Sequence, residues 1–161
     1  MNAKVDAKVD GSIRILVDAD ACPVKEEIYK VAFRHSIAVT IVSNSPFRVP
    51  LHELVSRVVV SGSFDAADDW IAEACDAASI VITGDILLAD RCLKAGAPVL
   101  GHNGKPFTLA SIGSAIATRA IMADLRAGGD AIGGPTAFSK ADRSRFLSAL
   151  DEALVRLKNI H

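Results

Sequence analysis

Apolar positions in this chain fall into short continuous runs separated by longer segments of helical spacing. Residues 13–17 (IRILV) have the content of a buried strand, and residues 37–42 (IAVTIV) repeat it with more β-branching. Val58 to Val60 is a shorter run, broken by Ser61-Gly62-Ser63. Residues 79–83 (SIVIT) form another, ending in Gly84-Asp85, and Pro98 to Leu100 close the series.

Between these runs the period changes. Pro23 suits the first turn of a helix running to about His35, with Glu26 and Glu27 near its positive end. Phe64 to Ala78 sets Trp70, Ile71, Ala74 and Cys75 on one helical stripe, with Ser63 or Asp65 as the cap. Ile86 to Ala95 is helical and stops at Gly96. Residues 108–127 form a longer helical stretch with Arg119 and Arg126, after which Gly128-Gly129 and Gly133-Gly134-Pro135 interrupt the chain. A last helix starts near Ser139 and carries Phe146, Leu150, Leu154 and Leu157. Strands alternating with helices predict right-handed crossovers and a mostly parallel sheet covered on both faces, a three-layer α/β/α fold.

Composition narrows this picture. With 161 residues, half of them hydrophobic and only 5% aromatic, the chain predicts one domain over residues 13–161 with a core of Ala, Val, Ile and Leu. The polar start MNAKVDAKVDGS reads as a disordered tail over residues 1–12 and has no apolar segment of a secretory signal. No run approaches the roughly 20 apolar residues of a membrane span, so no membrane is expected and the cytoplasm is the expected location. Cys22, Cys75 and Cys92 show neither a CxxC pair nor a disulfide framework. Cys75 and Cys92 read as core residues, while Cys22 sits beside acidic residues. GGDAIGG lacks the strand before and helix after it that a dinucleotide-binding loop needs.

The chemistry lies in the acidic residues. Asp18 and Asp20 follow the first strand directly in VDADACPVK, a costly pairing because each carboxylate repels the other and loses water. Asp65, Asp68 and Asp69 begin the helix after the third strand. Asp85 ends SIVIT, and Asp90 follows on the next helix. In a parallel sheet the carboxyl ends of the strands share one edge, where ligands bind. Such a set predicts a Mg2+ or Mn2+ site, because these hard ions take oxygen ligands.

Several of these residues have a plainer role open to them. Asp65 suits a helix cap, one of Asp68 and Asp69 suits a solvated surface, and Asp90 suits a partner for Arg91 or Lys94. Lys25 either neutralises the acidic edge, holds a phosphate, or is a surface lysine. The net charge of −1 is uneven: residues 1–99 carry 10 Lys and Arg against 14 Asp and Glu, and residues 100–161 carry 8 against 5. A mildly basic stretch over residues 100–161 fits phosphate contact, and equally an ordinary solvated surface. His35, His52, His102 and His161 show no metal-ligand spacing, and Ser43, Ser61 and Ser63 show no nucleophile elbow.

VDADACPVK, FDAADDWIAE, IVITGDILLAD and GGPTAFSKADRSRFLSALDEAL, in that order, resemble the signature segments of the YaiI/YqxD family of bacterial proteins, over nearly the whole chain from about residue 13. That family is functionally uncharacterised, and its fold is related to the PIN-like nucleases, which gather acidic residues around Mg2+ or Mn2+ to cut RNA. The resemblance implies a PIN-like metal-dependent nuclease. Asp18 or Asp20 would supply the first acid, Asp68 or Asp69 the second, and Asp85 and Asp90 the third and fourth. Asp18, Asp20, Asp69 and Asp85 would hold metal, Asp18, Asp20, Asp68, Asp85 and Asp90 would serve catalysis, and Lys25, Arg143 and Arg145 would contact the phosphates of RNA. Arg143 and Arg145 also suit surface pairs with Asp142 or Asp151. The doubled aspartate and Cys-Pro depart from the usual PIN-type first motif.

Two other classes remain. A haloacid-dehalogenase-like phosphatase would use Asp18 as nucleophile and Asp20 as general acid, with Ser43-Asn44 and Gly84-Asp85 as later motifs. No lysine falls between residues 49 and 93, where that chemistry expects one. A non-catalytic metal- or RNA-binding protein would use the same acidic edge, with few aromatics available for base stacking.

Overall fold

A computed structural model describes residues 12–20, 22–61, 65–114 and 138–160. Residues 1–11 of the predicted tail, residues 115–127 of the predicted 108–127 helix with Arg119 and Arg126, and the glycine-rich interruptions lie outside the described residues. The strands are β1 (Arg14–Asp18), β2 (Ala38–Ser43), β3 (Val55–Val59), β4 (Ser79–Ile82), β5 (Val99–Leu100) and β6 (Pro106–Phe107). The helices are α1 (Lys25–His35), α2 (Ala66–Ala74), α3 (Ile86–Lys94) and α4 (Lys140–Ile160), with a further helical segment over 109–114.

The sheet order is β3-β2-β1-β4-β5-β6, parallel through β5, with β6 antiparallel at the edge. The period of two along each strand divides the core. Ile15, Val17, Val39, Ile41, Ile80 and Ile82 face one side, where α1 and α4 supply Ile28, Val31, Phe146, Leu150 and Leu154. Leu16, Val42, Val58, Val81 and Val99 face the other, against Ala67 and Ile71 of α2 and Leu88, Ala89 and Cys92 of α3. This is the three-layer arrangement expected, and all four residues of β4 and all five of β1 are buried.

The boundaries differ from expectation where side chains intervene. Helix α1 begins at Lys25, two residues after Pro23, and ends at His35, capped by Ser36, whose left-handed φ of 55° lets Ser36 and Ile37 donate back to Phe33 and Ala32. Helix α2 stops at Ala74, short of Ala78. The Asp76 carboxylate takes the Ala78 N–H at 2.9 Å and the Ser79 hydroxyl takes the Asp76 N–H at 2.9 Å, a local alternative to further helix. Strand β6 was not expected. A tight turn builds it: Gly101 N–H donates to the Lys105 carbonyl and Gly104 N–H to that of Gly101, each at 3.0 Å. Gly104 has φ of 83°, and a Cβ there would lie 2.8 Å from the Arg145 carbonyl, so only glycine fits.

Cys22, Cys75 and Cys92 are all buried and free. Cys75 and Cys92 belong to the core between α2 and α3, as the sequence indicated. Among the described residues no helix is long and apolar enough to cross a membrane.

Candidate functional site

Asp18 continues the parity of Leu16 and so turns toward α2 and α3, at the carboxyl end of the central strand. It is 9% exposed, and Thr83 Oγ1 donates to its Oδ2 at 2.8 Å. The same Thr83 oxygen accepts the Asp85 N–H at 3.0 Å, so one hydroxyl ties together the ends of β1 and β4. Asp85 is the N-cap of α3, its Oδ1 accepting from Leu87 N at 2.9 Å and Leu88 N at 3.4 Å. Asp20, just past β1, accepts from Ser43 Oγ at 2.9 Å, which anchors it to the end of β2.

Helix α2 enters beside these groups. Asn44 Oδ1 accepts the Ala67 N–H at 3.1 Å, holding the first turn of α2 over the strand ends. Asp65 occupies the N-cap position without a side-chain cap bond. Asp68 and Asp69 follow in the first turn.

Six aspartates, Asp18, Asp20, Asp65, Asp68, Asp69 and Asp85, thus line one cavity of about 910 Å³. Asn44, Arg91 and His102 share it. Burial pushes the Asp18 carboxyl above its ordinary range against the Thr83 hydrogen bond, and the charges of Asp20 and Asp85 add to the rise. Asp68 is pushed up to about 6, first by burial and then by Asp18, Asp85 and Asp65, with Arg91 opposing. Arg91 Nη1 donates to Asp69 Oδ1 at 2.9 Å, a pair open to solvent on both sides.

The other sequence candidates stand elsewhere. Asp90 does not line the cavity and pairs with Lys94 at 2.9 Å, one turn along α3. Lys25 lies over the Phe47 ring, 5.1 Å from its centre. Arg145 pairs with Asp142 at 2.9 Å. Arg143 donates to the Pro23 carbonyl at 2.6 Å, approaches Glu27 at 3.5 Å, and covers the Phe138 ring. None of these three basic residues lines the cavity. Arg143 instead ties α4 to the segment that follows Asp20.

Sequence reasoning missed His102. It follows β5, and its ring packs over Gly84, where a Cβ would meet it at 3.1 Å. Burial lowers its basicity, and its Nε2 is buried without a hydrogen-bond partner among the described residues. No spacing in the chain links residue 102 to residue 84; the sheet does so by placing β5 beside β4. Thr83 and Asn44 had a weak signal, as polar residues closing apolar strand runs.

The donor set is of carboxylate oxygens, the kind that Mg2+ and Mn2+ take. Among the described residues no three carboxylate, imidazole or thiolate groups stand together as a ready-made ligand set. The donor chemistry fits an ion held by one or two carboxylates, with water and substrate filling the remaining positions, as Mg2+ commonly is.

Comparison with known proteins agrees with the motifs. The profile of the uncharacterised YaiI/YqxD family matches residues 16–156. A UPF0178 protein of Sphingopyxis alaskensis is 76% identical over 145 residues, covering 89% of this chain and 94% of the relative. A UPF0178 protein of Jannaschia is 59% identical over 146 residues, with 89% and 94% coverage. One of Nitrobacter winogradskyi is 56% identical over 147 residues, with 91% and 94% coverage. With its motifs, fold and near full-length relatives in accord, the chain belongs to the YaiI/YqxD family.

Proposed function

We propose that this protein is a divalent-metal-dependent nuclease with PIN-like carboxylate chemistry, hydrolysing phosphodiester bonds in RNA. One observation carries the proposal: six aspartates line one cavity at the carboxyl edge of a parallel sheet, where burial and then their mutual repulsion raise the proton affinity of Asp18 and Asp68. Such a cluster is unfavourable by itself and becomes favourable with a cation.

Asp20 and Asp85 are the holding residues, because Ser43 and the α3 N-terminus fix their orientations. Asp18 and Asp69 add negative charge beside them. Bound Mg2+ or Mn2+ would stabilise the charge that builds on the phosphoryl oxygens. Asp68 is the candidate base for the attacking water, since its carboxylate takes up a proton at about pH 6 and a base near neutrality is effective. The phosphatase alternative lacks a comparable observation, because among the described residues no lysine lines the cavity.

The test is cleavage of labelled single-stranded RNA with Mn2+ or Mg2+, beside the double variant Asp20→Asn, Asp85→Asn. Wild-type cleavage that disappears in a folded double variant is the expected result. Metal binding without cleavage would sink the hydrolase and leave a metal- or RNA-binding protein. Phosphate trapped covalently on Asp18 would instead establish the phosphatase.

A further inference from the structure

The cavity wall that would repel RNA most strongly also carries one fixed cation. Arg91 is the only Lys or Arg lining the cavity among the described residues, and burial disfavours the charged form of His102. The Arg91–Asp69 pair is 46% and 50% exposed, so it is weak enough for another anion to displace. Its guanidinium presents five N–H donors, and one bond to Asp69 leaves others free for a phosphate.

Leu87 stands four residues earlier on α3, which sets it on the same helix face. It is 52% exposed, yet it lines the cavity beside the carboxylates. An exposed leucine alone means little. An apolar side chain one turn from a displaceable arginine matches the alternation of sugar or base with phosphate along a single strand.

We propose that Leu87 and Arg91 form a strand-holding ledge, in which Arg91 takes one phosphate of single-stranded RNA and Leu87 the adjoining sugar or base. The assignment rests on the nuclease proposal and supplies a protein-borne phosphate contact within the cavity, which Lys25, Arg143 and Arg145 do not line. The plainer alternative is that Arg91 only neutralises Asp69. In that role any cationic side chain at position 91 would serve equally, so Arg91→Lys would bind RNA as the wild type does.

The experiment is fluorescence anisotropy of a 5′-labelled single-stranded RNA across a salt series, with Ca2+ replacing the ion that supports cleavage. Arg91→Gln is expected to weaken binding about tenfold, the scale of a charge-assisted hydrogen bond. It should also flatten the log-log salt slope by about 0.7, one phosphate's share for a single strand. Arg91→Lys should restore the slope with only part of the affinity, and Leu87→Ser should weaken binding a few fold with the slope unchanged. Circular dichroism confirms that each variant is folded. An Arg91→Gln protein with wild-type affinity and slope overturns the ledge, even where the cleavage assay succeeds. Wild-type protein that binds no RNA at low salt overturns it as well. Binding with the expected slopes but no cleavage sustains the ledge and removes the hydrolase alone.

Discussion

Strand β1 has a charged residue at each end, and the two ends are treated in opposite ways. At its start Arg14 is 4% exposed, yet it is fully engaged: Nη2 donates to the Ala74 carbonyl at 2.9 Å and pairs with Asp76 at 3.1 Å, and Nη1 reaches the Ser12 carbonyl. At its finish Asp18 is nearly as buried, but its charged neighbours are Asp20 and Asp85. A buried charge with an opposite partner holds a fold together, whereas buried like charges need something from outside. The amino edge of the sheet is therefore closed by opposite charges, and the carboxyl edge is where like charges gather.

The largest break in this contrast comes from the engaged end. Arg14→Ala should cost about 3 kcal/mol in urea unfolding, because it strips a buried hydrogen-bonded cation from Asp76 and the Ala74 carbonyl. A cost under about 1 kcal/mol would show that the amino edge is not held by this residue.

The carboxyl edge should respond with the opposite sign. Asp68 titrates at about 6 in the folded chain against an ordinary 3.8, so the folded state binds the extra proton between those values. Its ionisation destabilises the fold as pH rises through that window. Asp68→Asn should therefore raise stability by roughly 1 kcal/mol at pH 8, after allowing for solvent screening, and change nothing below about pH 3.5. Thermal melts across pH give the answer, and a variant less stable than wild type at pH 8 would contradict it.

The smallest effect belongs to the aspartate that escaped the cluster. Asp90→Ala removes only a solvent-facing pair with Lys94, and should cost under about 0.5 kcal/mol in the same melts. A loss of 2 kcal/mol would mean that Asp90 supports the site more closely than its position suggests.

The same contrast explains what the sequence disclosed. Residues 13–17 and 79–83 announced their strands because strands buried on both faces must be continuously apolar. Asp18 and Asp85 could be placed from that alone, since strand ends converge in any parallel sheet. Asp68 and Asp69 followed from the first turn of a helix on the same edge. Asp90 did not, because it does not line the cavity and its carboxylate is taken up by Lys94 one turn along α3. Arg143 and Arg145 depended on docking. Helix α4 packs with α1 on the face opposite α2 and α3, a choice written in tertiary contacts and in no local spacing. His102 was hidden for a similar reason, as it reaches the site through an unforeseen hairpin.

That hairpin also bears on how copies of the chain can meet. A parallel sheet with a bare outer strand invites a strand from another molecule. Among the described residues β6 closes one side of the sheet with only two residues, and the first, Pro106, has no N–H to offer. Strand addition is disfavoured at that edge, and among the described residues β3 is the other outer strand.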